Sequence, residues 1–254
     1  MKARDLRLFV GVFLVNDEDL NLTKYLYEDK IGRVQLVQHW GDDSTVVRSA
    51  RVSFGKDLKK DSLSERDVKL IRYLIENKHT STLEHCGMTF KFVVPLFVRS
   101  QHHRHRTWSY NEISRRYTDV NIQFYEPNEF RTQHKSNRQA SNLGELKNPT
   151  LACGSDCDEL VSLHHQVSLD LYEKMINAGV CREQARGVLP QNMYTEYYGT
   201  CNLSNLLKFI ELRLHDGAQY EIQAVAKACL QLAEKFFPIT VGSYAELRGG
   251  GVTP

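Results

Sequence analysis

The sequence predicts an α+β fold. Segments with the period of a strand fall mostly in the first half of the chain, and segments with the period of a helix fall mostly in the second half. A length of 254 residues with 41% hydrophobic and 25% charged residues is typical of a globular chain with a sizeable core. We therefore expect a single domain over residues 1–254.

Strand-like patterns occur twice in the first hundred residues. Residues 33–40 carry apolar side chains at mixed spacing and precede a turn cluster at 41–44, which predicts a short strand or an irregular segment. Residues 88–94 alternate in the manner of a strand with one face on a core. Pro95 ends this strand, and because proline suits the first helical position, a helix is expected from Leu96 onward.

Helical patterns occupy much of the remaining chain. Ser64 and Asp67 form a capping-box pattern ahead of apolar residues at helical spacing, which predicts a helix that ends near Lys78. Three apolar stripes predict further helices; the first ends at Gly179, a typical C-cap, and the last ends before Pro238. The stripes are Leu160, Leu163, Val167, Leu171 and Met175; then Leu206, Phe209, Ile210 and Leu214; then Ile222, Val225, Cys229, Leu232, Ala233 and Phe236.

Between two of these regions, residues 128–158 are polar and irregular, with few large apolar side chains. This composition predicts a long surface loop, which we interpret as a tolerated insertion without a catalytic role.

The N-terminal segment and the cysteines indicate a cytoplasmic protein. The apolar run over residues 8–15 is shorter than the roughly 20 residues that a membrane-spanning helix needs, and it lacks a small-residue cleavage site. The six cysteines are therefore expected as reduced thiols. Cys153 and Cys157 form an isolated C-x3-C pattern, which favours incidental cysteines over a zinc site. We expect neither a membrane anchor nor a metal.

The most informative stretch is the basic segment, Gln101 to Tyr117, which holds four arginines and three histidines around a single carboxylate. Like charges this close repel one another, so their density indicates an anionic ligand, usually phosphate. Arginine suits phosphate because its planar fork can hold two oxygens at once. The interleaved Trp108 and Tyr110 are poor choices for a merely solvated surface, which is the simplest alternative.

Two other functions use the same residue types. A metal site on the histidines is disfavoured because the neighbouring arginines would repel a cation. A single-stranded nucleic-acid-binding module would place arginines along phosphates and stack aromatic side chains on bases. The net charge of only +2 gives no extended basic groove, so a mononucleotide site is favoured over this alternative.

Arg104-His105-Arg106, seven intervening positions and then Ser114 resemble the signature of the flavin-dependent thymidylate synthases. The likeness continues upstream through residues 79–85 and downstream through 182–190, 202–213 and 218–222. It implies helices packed around a small, mostly antiparallel sheet, in a homotetramer with active sites shared between subunits. It also implies methylation of dUMP to dTMP, with FAD as cofactor and with NADPH and 5,10-methylenetetrahydrofolate as co-substrates.

The resemblance also implies roles for individual residues. Arg213 is expected to polarise or ionise the uracil ring, and Ser114, also counted as catalytic, is expected to contact ligand without acting as a nucleophile. Gly217 and Lys208 depart from the residues most common in the family at those positions. The implied FAD contacts are His79, Ser81, Arg104, His105, Arg106, Glu112, Asn202, Leu203, Ser204 and Lys208. The implied dUMP contacts are Gln101, His102, His103, Arg104, Glu112, Ile113, Ser114, Arg115, Arg116, Arg186 and Arg213.

Overall fold

Eight strands and eight α-helices make up the regular structure of the computed structural model, which describes residues 13–14, 22–55 and 63–248. Most of the apolar run 8–15 lies outside these residues. The strands are β1 (Phe13–Leu14), β2 (Thr23–Tyr25), β3 (Arg33–Trp40), β4 (Gly87–Pro95), β5 (Ser109–Glu112), β6 (Phe130–Gln133), β7 (Ser141–Leu146) and β8 (Tyr194–Asn202). The helices are α1 (Asp43–Arg51), α2 (Glu65–Glu76), α3 (Leu96–His102), α4 (Cys157–Asn177), α5 (Arg182–Ala185), α6 (Leu203–Arg213), α7 (Tyr220–Glu234) and α8 (Pro238–Arg248).

The main sheet confirms the α+β prediction, and all its described pairings are antiparallel. Its order is β1-β3-β4-β8-β5, and β2 also pairs with β3. The two longest strands, β4 and β8, pair from Gly87 opposite Asn202 to Pro95 opposite Tyr194. Gly87 permits this close approach, because a Cβ there would lie 2.3 Å from the Cys201 carbonyl oxygen.

Strand β4 is buried on both faces, so the prediction of a single core face is wrong. Only Lys91 is half-exposed in this strand, and every other residue is buried. The alternation in residue type led to the error. Phe90 and Phe92 belong to the main core, while Val93, on the other face, packs with Tyr125 and Tyr194 in a smaller cluster.

The predicted helices α2, α3, α6 and α7 are confirmed. Helix α2 begins with the predicted capping box, in which the side chains of Ser64 and Asp67 each bond the other residue's backbone. Helix α1 was not predicted. It begins within the expected turn cluster, where Asp42 caps it and forms a second capping box with Thr45.

Helix α8 was also not predicted, and its N-terminal cap comes from a distant part of the chain. The carboxylate of Asp43 in α1 accepts hydrogen bonds from the backbone nitrogens of Ile239 (2.8 Å) and Thr240 (2.9 Å) and from the Thr240 hydroxyl (2.6 Å). Burial of Asp43 raises its pKa. The bond between α1 and α8 thus satisfies nitrogens at the helix start that lack an intrahelical partner.

Helix α4 ends as predicted but buries a different side. Gly179 has φ +88° and closes a Schellman motif, in which its nitrogen bonds the Ile176 oxygen. Leu163, Val167 and Leu171, three members of the predicted buried stripe, are 52%, 56% and 46% exposed. The buried residues of α4 are instead His165, Ser168 and Tyr172. None of the described helices is long and apolar enough to cross a membrane.

The region 128–158 is not the irregular loop that was expected. Strands β6 and β7 form an antiparallel hairpin that spans most of it. Arg131 in β6 reaches α7, where its guanidinium lies 2.7 Å from the buried carboxylate of Glu221. The hairpin is therefore fastened to the body of the protein.

Candidate functional site

The basic segment connects α3 to β5, and one ion pair fixes the two elements together. Helix α3 ends at His102, and β5 pairs with β8 at the edge of the main sheet. Arg99 Nε lies 3.2 Å from Glu112 Oε1, which also accepts a hydrogen bond from the Thr195 hydroxyl (2.7 Å). The turn that carries the basic residues is therefore fixed at both ends by this ion pair.

His102, expected to contact dUMP, is placed in the core. Its side chain is 0% exposed, and its Nδ1 lies 2.8 Å from the Tyr197 hydroxyl. The rings of Phe92 and Trp108 contact it edge-on, with centroids 4.7 and 4.6 Å away. Burial lowers the pKa of His102 well below its usual value, and the neighbouring His105, His103 and Arg213 act in the same direction. A neutral packing residue fits this environment.

Arg115 is likewise buried, although it was expected to contact dUMP. Its Nη1 donates to the Val120 carbonyl at 2.7 Å, and its Nη2 donates to the Asn121 carbonyl at 3.4 Å. Burial lowers the pKa of the guanidinium. Arg115 therefore holds the turn that follows the basic segment.

The main cleft, an open cavity of about 770 Å³, brings together three of the predicted residues: Gln101, Lys208 and Arg213. Arg213 is half-buried at the end of α6. Its Nε donates to His105 Nε2 at 3.1 Å, and its Nη2 donates to the Gln101 carbonyl at 3.2 Å. Within the described residues, no carboxylate pairs with Arg213, so its charge is available to an anion.

The contact with Arg213 sets the protonation state of His105. Because Arg213 Nε can only donate, His105 Nε2 must accept, and the ring proton then lies on Nδ1. Burial, followed by the charge of Arg213, lowers the pKa of His105 to about 4. A neutral imidazole thus orients the guanidinium at neutral pH.

A smaller cavity of about 170 Å³, the Ser204 cavity, adjoins the main cleft through Lys208, which lines both. Thr80, between the predicted residues His79 and Ser81, also lines it. Among the described residues, nothing bonds the buried Ser204 hydroxyl, so this group can bond a polar ligand. Lys208 is exposed and pairs with no carboxylate in the described part of the chain.

Arg104 and Arg106, expected at FAD, are also exposed. Neither forms an ion pair with a carboxylate among residues 22–55 and 63–248. His103 lies beneath them, half-buried against the Tyr110 ring at 4.1 Å, and burial lowers its pKa. These two arginines are free to bind phosphate.

The remaining predicted dUMP residues lie on a second surface, around β5. Glu112 and Ile113 line a separate cavity of about 280 Å³. Ser114 is half-buried, and its hydroxyl accepts a hydrogen bond from the Arg116 nitrogen at 3.3 Å. Arg116 pairs with Glu183 (3.1 Å), on the short helix that immediately precedes the exposed Arg186. The expected substrate contacts are therefore divided between two surfaces of one chain.

Two predicted FAD contacts have roles in the fold. The Asn202 side chain caps α6 by accepting from the Asn205 nitrogen at 2.9 Å. Leu203 is 0% exposed, and its nitrogen donates to the Cys86 carbonyl. Both residues position α6, which carries Ser204, Lys208 and Arg213.

The main cleft also contains residues that were not predicted as site residues: Gln139, Glu211, Leu212, His215, Gly217, Ala218 and Gln219. A signal existed for Gln219, because residues 218–222 belong to the resemblance quoted above. None existed for Gln139, which lies in the region interpreted as an insertion.

Comparisons with known proteins identify the family of this chain. The family model of the thymidylate synthase complementing protein matches residues 35–239. A flavin-dependent thymidylate synthase of Thermus thermophilus is 40% identical over 215 residues, which cover 85% of this chain and 76% of that protein. The chain belongs to the flavin-dependent thymidylate synthase family. The enzyme of that name from Thermosipho melanesiensis is 38% identical over 87% of this chain and 93% of its own.

Solved structures support the same family. The UMP/dUMP methylase PolB from Streptomyces cacaoi, bound with 5-Br dUMP, superposes with a TM-score of 0.73 at 32% identity, covering 88% of this chain and 97% of that one. The complex of PolB with 5-Br UMP superposes with a TM-score of 0.71 at 30% identity, and the match covers 84% of this chain and 93% of that one. Together with the relatives, these structures support an enzyme that methylates dUMP to dTMP.

Flavin-dependent thymidylate synthases use FAD, with NADPH and methylenetetrahydrofolate as co-substrates. The residues of this chain fit a flavin dinucleotide on two counts. Its pyrophosphate requires cations, and Arg104, Arg106 and Lys208 are exposed around the Ser204 cavity and the basic segment without carboxylate partners in the described regions. Its polar groups require donors, which the unpartnered Ser204 hydroxyl supplies.

Proposed function

We propose that this chain transfers the methylene carbon of 5,10-methylenetetrahydrofolate to dUMP, with reduction to methyl by FAD that NADPH has reduced. The observation that carries the proposal is that Arg213, held by His105, lines the main cleft with Gln101, beside the cavity lined by Lys208 and Ser204. A flavin at the start of α6, near Ser204, and a nucleotide at its end, near Arg213, can thus lie side by side. The bound flavin would supply the hydride.

Arg213 is the proposed electrophilic residue. Its guanidinium is held by two hydrogen bonds, which fix one edge, and the residue lines the main cleft. Burial lowers the pKa of Arg213 without removing its charge at neutral pH. A fixed cation of this kind stabilises negative charge that develops on the uracil ring.

The proposed reaction does not use a cysteine nucleophile. Cys86, Cys201 and Cys229 are buried, and burial raises the pKa of Cys86 to about 12 and raises the pKa values of Cys201 and Cys229 well above the usual value. Such thiols hold almost no thiolate at neutral pH. All six cysteines are free, which supports the cytoplasmic location included in this proposal.

The proposal includes a homotetramer with shared active sites. Two observations support it. The expected dUMP contacts lie on two surfaces of one chain, so a neighbouring subunit can bring its β5 surface, with Ser114 and Arg116, to the main cleft. The exposed Leu163, Val167 and Leu171 form an apolar stripe on α4, which a partner subunit would cover.

The sugar of the substrate requires its own measurement. PolB was solved with both a UMP and a dUMP analogue, so UMP is a second candidate substrate for this chain. We propose dUMP as the preferred substrate because the relatives at 38–40% identity are thymidylate synthases.

The test is anaerobic reduction of the FAD-loaded protein by NADPH, followed by addition of methylenetetrahydrofolate with dUMP or with UMP. We expect the flavin band to bleach with NADPH and dTMP to form from dUMP, detected by mass spectrometry, at a rate at least about tenfold above UMP methylation. Absence of flavin binding would refute the enzyme proposal and favour the nucleic-acid alternative, whose sign is salt-dependent oligonucleotide binding. Faster methylation of UMP would reverse the substrate assignment.

A further inference from the structure

The β6–β7 hairpin is joined to the main cleft by a continuous series of hydrogen bonds. Arg131 Nη2 donates to both carboxylate oxygens of Glu221, at 2.7 and 3.0 Å. Glu221 Oε2 accepts from Gln219 Nε2 at 2.8 Å, and Gln219 Oε1 accepts from Gln101 Nε2 at 2.5 Å. The backbone carbonyl of Gln101 in turn accepts a hydrogen bond from Arg213 Nη2. We call Arg131, Glu221, Gln219 and Gln101 the relay.

The relay has a fixed direction because one member can only accept. Glu221 is 2% exposed and paired with Arg131, so it is an ionised carboxylate that offers no donor. Gln219 must therefore turn its NH2 group toward Glu221 and its oxygen toward Gln101. Gln101 must then present its own NH2 group to Gln219, which leaves its Oε1 available in the main cleft.

Arg131 keeps this direction by holding the Glu221 carboxylate in place. It binds β7 through Ser141, whose hydroxyl oxygen accepts from Arg131 Nε at 3.0 Å, and it lies over the Tyr220 ring at 5.2 Å. Tyr125 donates its hydroxyl to Glu221 Oε1 at 3.1 Å. Arg131, with partners in both β7 and α7, is thereby held in one geometry.

The hairpin also closes one side of the main cleft. Gln139, from the turn between β6 and β7, lines it beside Gln101 and Arg213. The side chain of Asn137 lies 3.2 Å from the position that a Cβ at Gly217 would occupy. Gly217, which departs from the residue usual in the family, thus leaves room for this turn.

We infer that Arg131 is a positioning residue for nucleotide binding, acting through Glu221 and Gln219 on the amide of Gln101, and that the hairpin is a wall of the active site. This inference rests on the proposed function, because it assigns the ligand of the main cleft to a nucleotide. It replaces the interpretation of residues 128–158 as an insertion without a role.

The test is a double-mutant cycle on dUMP affinity, measured by calorimetry on the FAD-loaded protein. Arg131→Met should raise the Kd for dUMP about tenfold, the loss expected when one hydrogen bond to a ligand is misdirected. Gln219→Met should raise it by a similar factor. Because both act on the same amide, Arg131→Met should change the Kd by less than about twofold in the Gln219→Met background.

Two controls separate positioning from damage to the fold. Arg72→Met breaks an arginine–glutamate pair on the surface of α2, with Glu246 at 2.8 Å, and should leave dUMP affinity unchanged. If the unpaired Glu221 unfolds Arg131→Met, the variant Arg131→Met/Glu221→Gln replaces it, since a glutamine there removes the buried charge yet can offer either end to Gln219. It should weaken dUMP binding by the same factor.

Independent, additive effects of Arg131→Met and Gln219→Met would overturn the relay, as would an unchanged Kd in Arg131→Met. In either case wild-type protein still binds dUMP, and the proposed function stands. Wild-type protein that binds FAD but no dUMP would instead reject the proposed function, and the relay with it.

Discussion

Arg213 donates its Nε–H to the neutral imidazole of His105, 3.1 Å away, and this bond joins the end of α6 to the turn of the basic segment. The two residues lie 108 positions apart in the chain. The bond fixes the orientation of the guanidinium. Because the imidazole is neutral, the positive charge of Arg213 remains available to stabilise an anion.

Replacement of Arg213 should separate function from stability. We expect Arg213→Ala to keep its fold and its oligomeric state, because a half-buried arginine without a carboxylate partner in the described chain contributes little to stability. It should lose at least about a hundredfold in kcat/KM for dUMP, or about 2.7 kcal/mol of transition-state stabilisation. Steady-state dTMP formation and thermal unfolding measure the two quantities. Unchanged turnover would remove Arg213 from the mechanism.

Ser114 should prove dispensable for the chemical step. Its hydroxyl accepts from the Arg116 nitrogen, and no described histidine or carboxylate forms a hydrogen bond with it that would activate a nucleophile. Ser114→Ala should therefore still form dTMP, with a loss of about tenfold or less that appears mainly in KM. Complete loss of product while dUMP and FAD still bind would show that the hydroxyl takes part in the reaction.

Stability should fall as the pH is lowered from about 6.5 toward 4, because of His105 and His102. Their folded pKa values lie below the ordinary value of 6.5, at about 4 for His105. In this interval the unfolded chain binds protons that the folded chain does not, so the unfolded state is increasingly favoured as pH falls. Urea midpoints at about pH 7.5, 5.5 and 4.5 measure the effect. The slope should be smaller in His105→Gln, and an identical slope would contradict the assignment.

The apolar stripe on α4 should hold subunits together. A charged side chain at Leu163 or Leu171 would be buried unpaired in an interface, which is costly. Leu163→Glu and Leu171→Glu should therefore reduce the tetramer to smaller species in sedimentation velocity and lose dUMP turnover with it. Val68→Glu, at an exposed apolar residue of α2, is the matched control. An intact tetramer in both α4 variants would place the interface elsewhere.

Local chemistry was sufficient to predict much of this molecule. Ser64 with Asp67 and Gly179 mark helix ends whose hydrogen bonds close within a few residues, so their sequence neighbours predict them. The basic segment was also recognisable as a candidate binding site, because its density of like charges indicates an anionic ligand whatever the fold. The resemblance to the family rested first on residues of this basic segment, from Arg104 to Ser114.

Tertiary structure decided what depends on distant partners. Helix α8 is capped by Asp43, 196 residues away, and the hairpin is fastened by Glu221, 90 residues beyond Arg131. His102 and Arg115 carry the same chemical groups as their exposed neighbours, and only packing against Tyr197 or the turn after residue 117 removes them from the ligand surface. The apolar stripe on α4 predicts a buried face, but the packing of this chain leaves Leu163, Val167 and Leu171 exposed and buries His165 and Tyr172 instead.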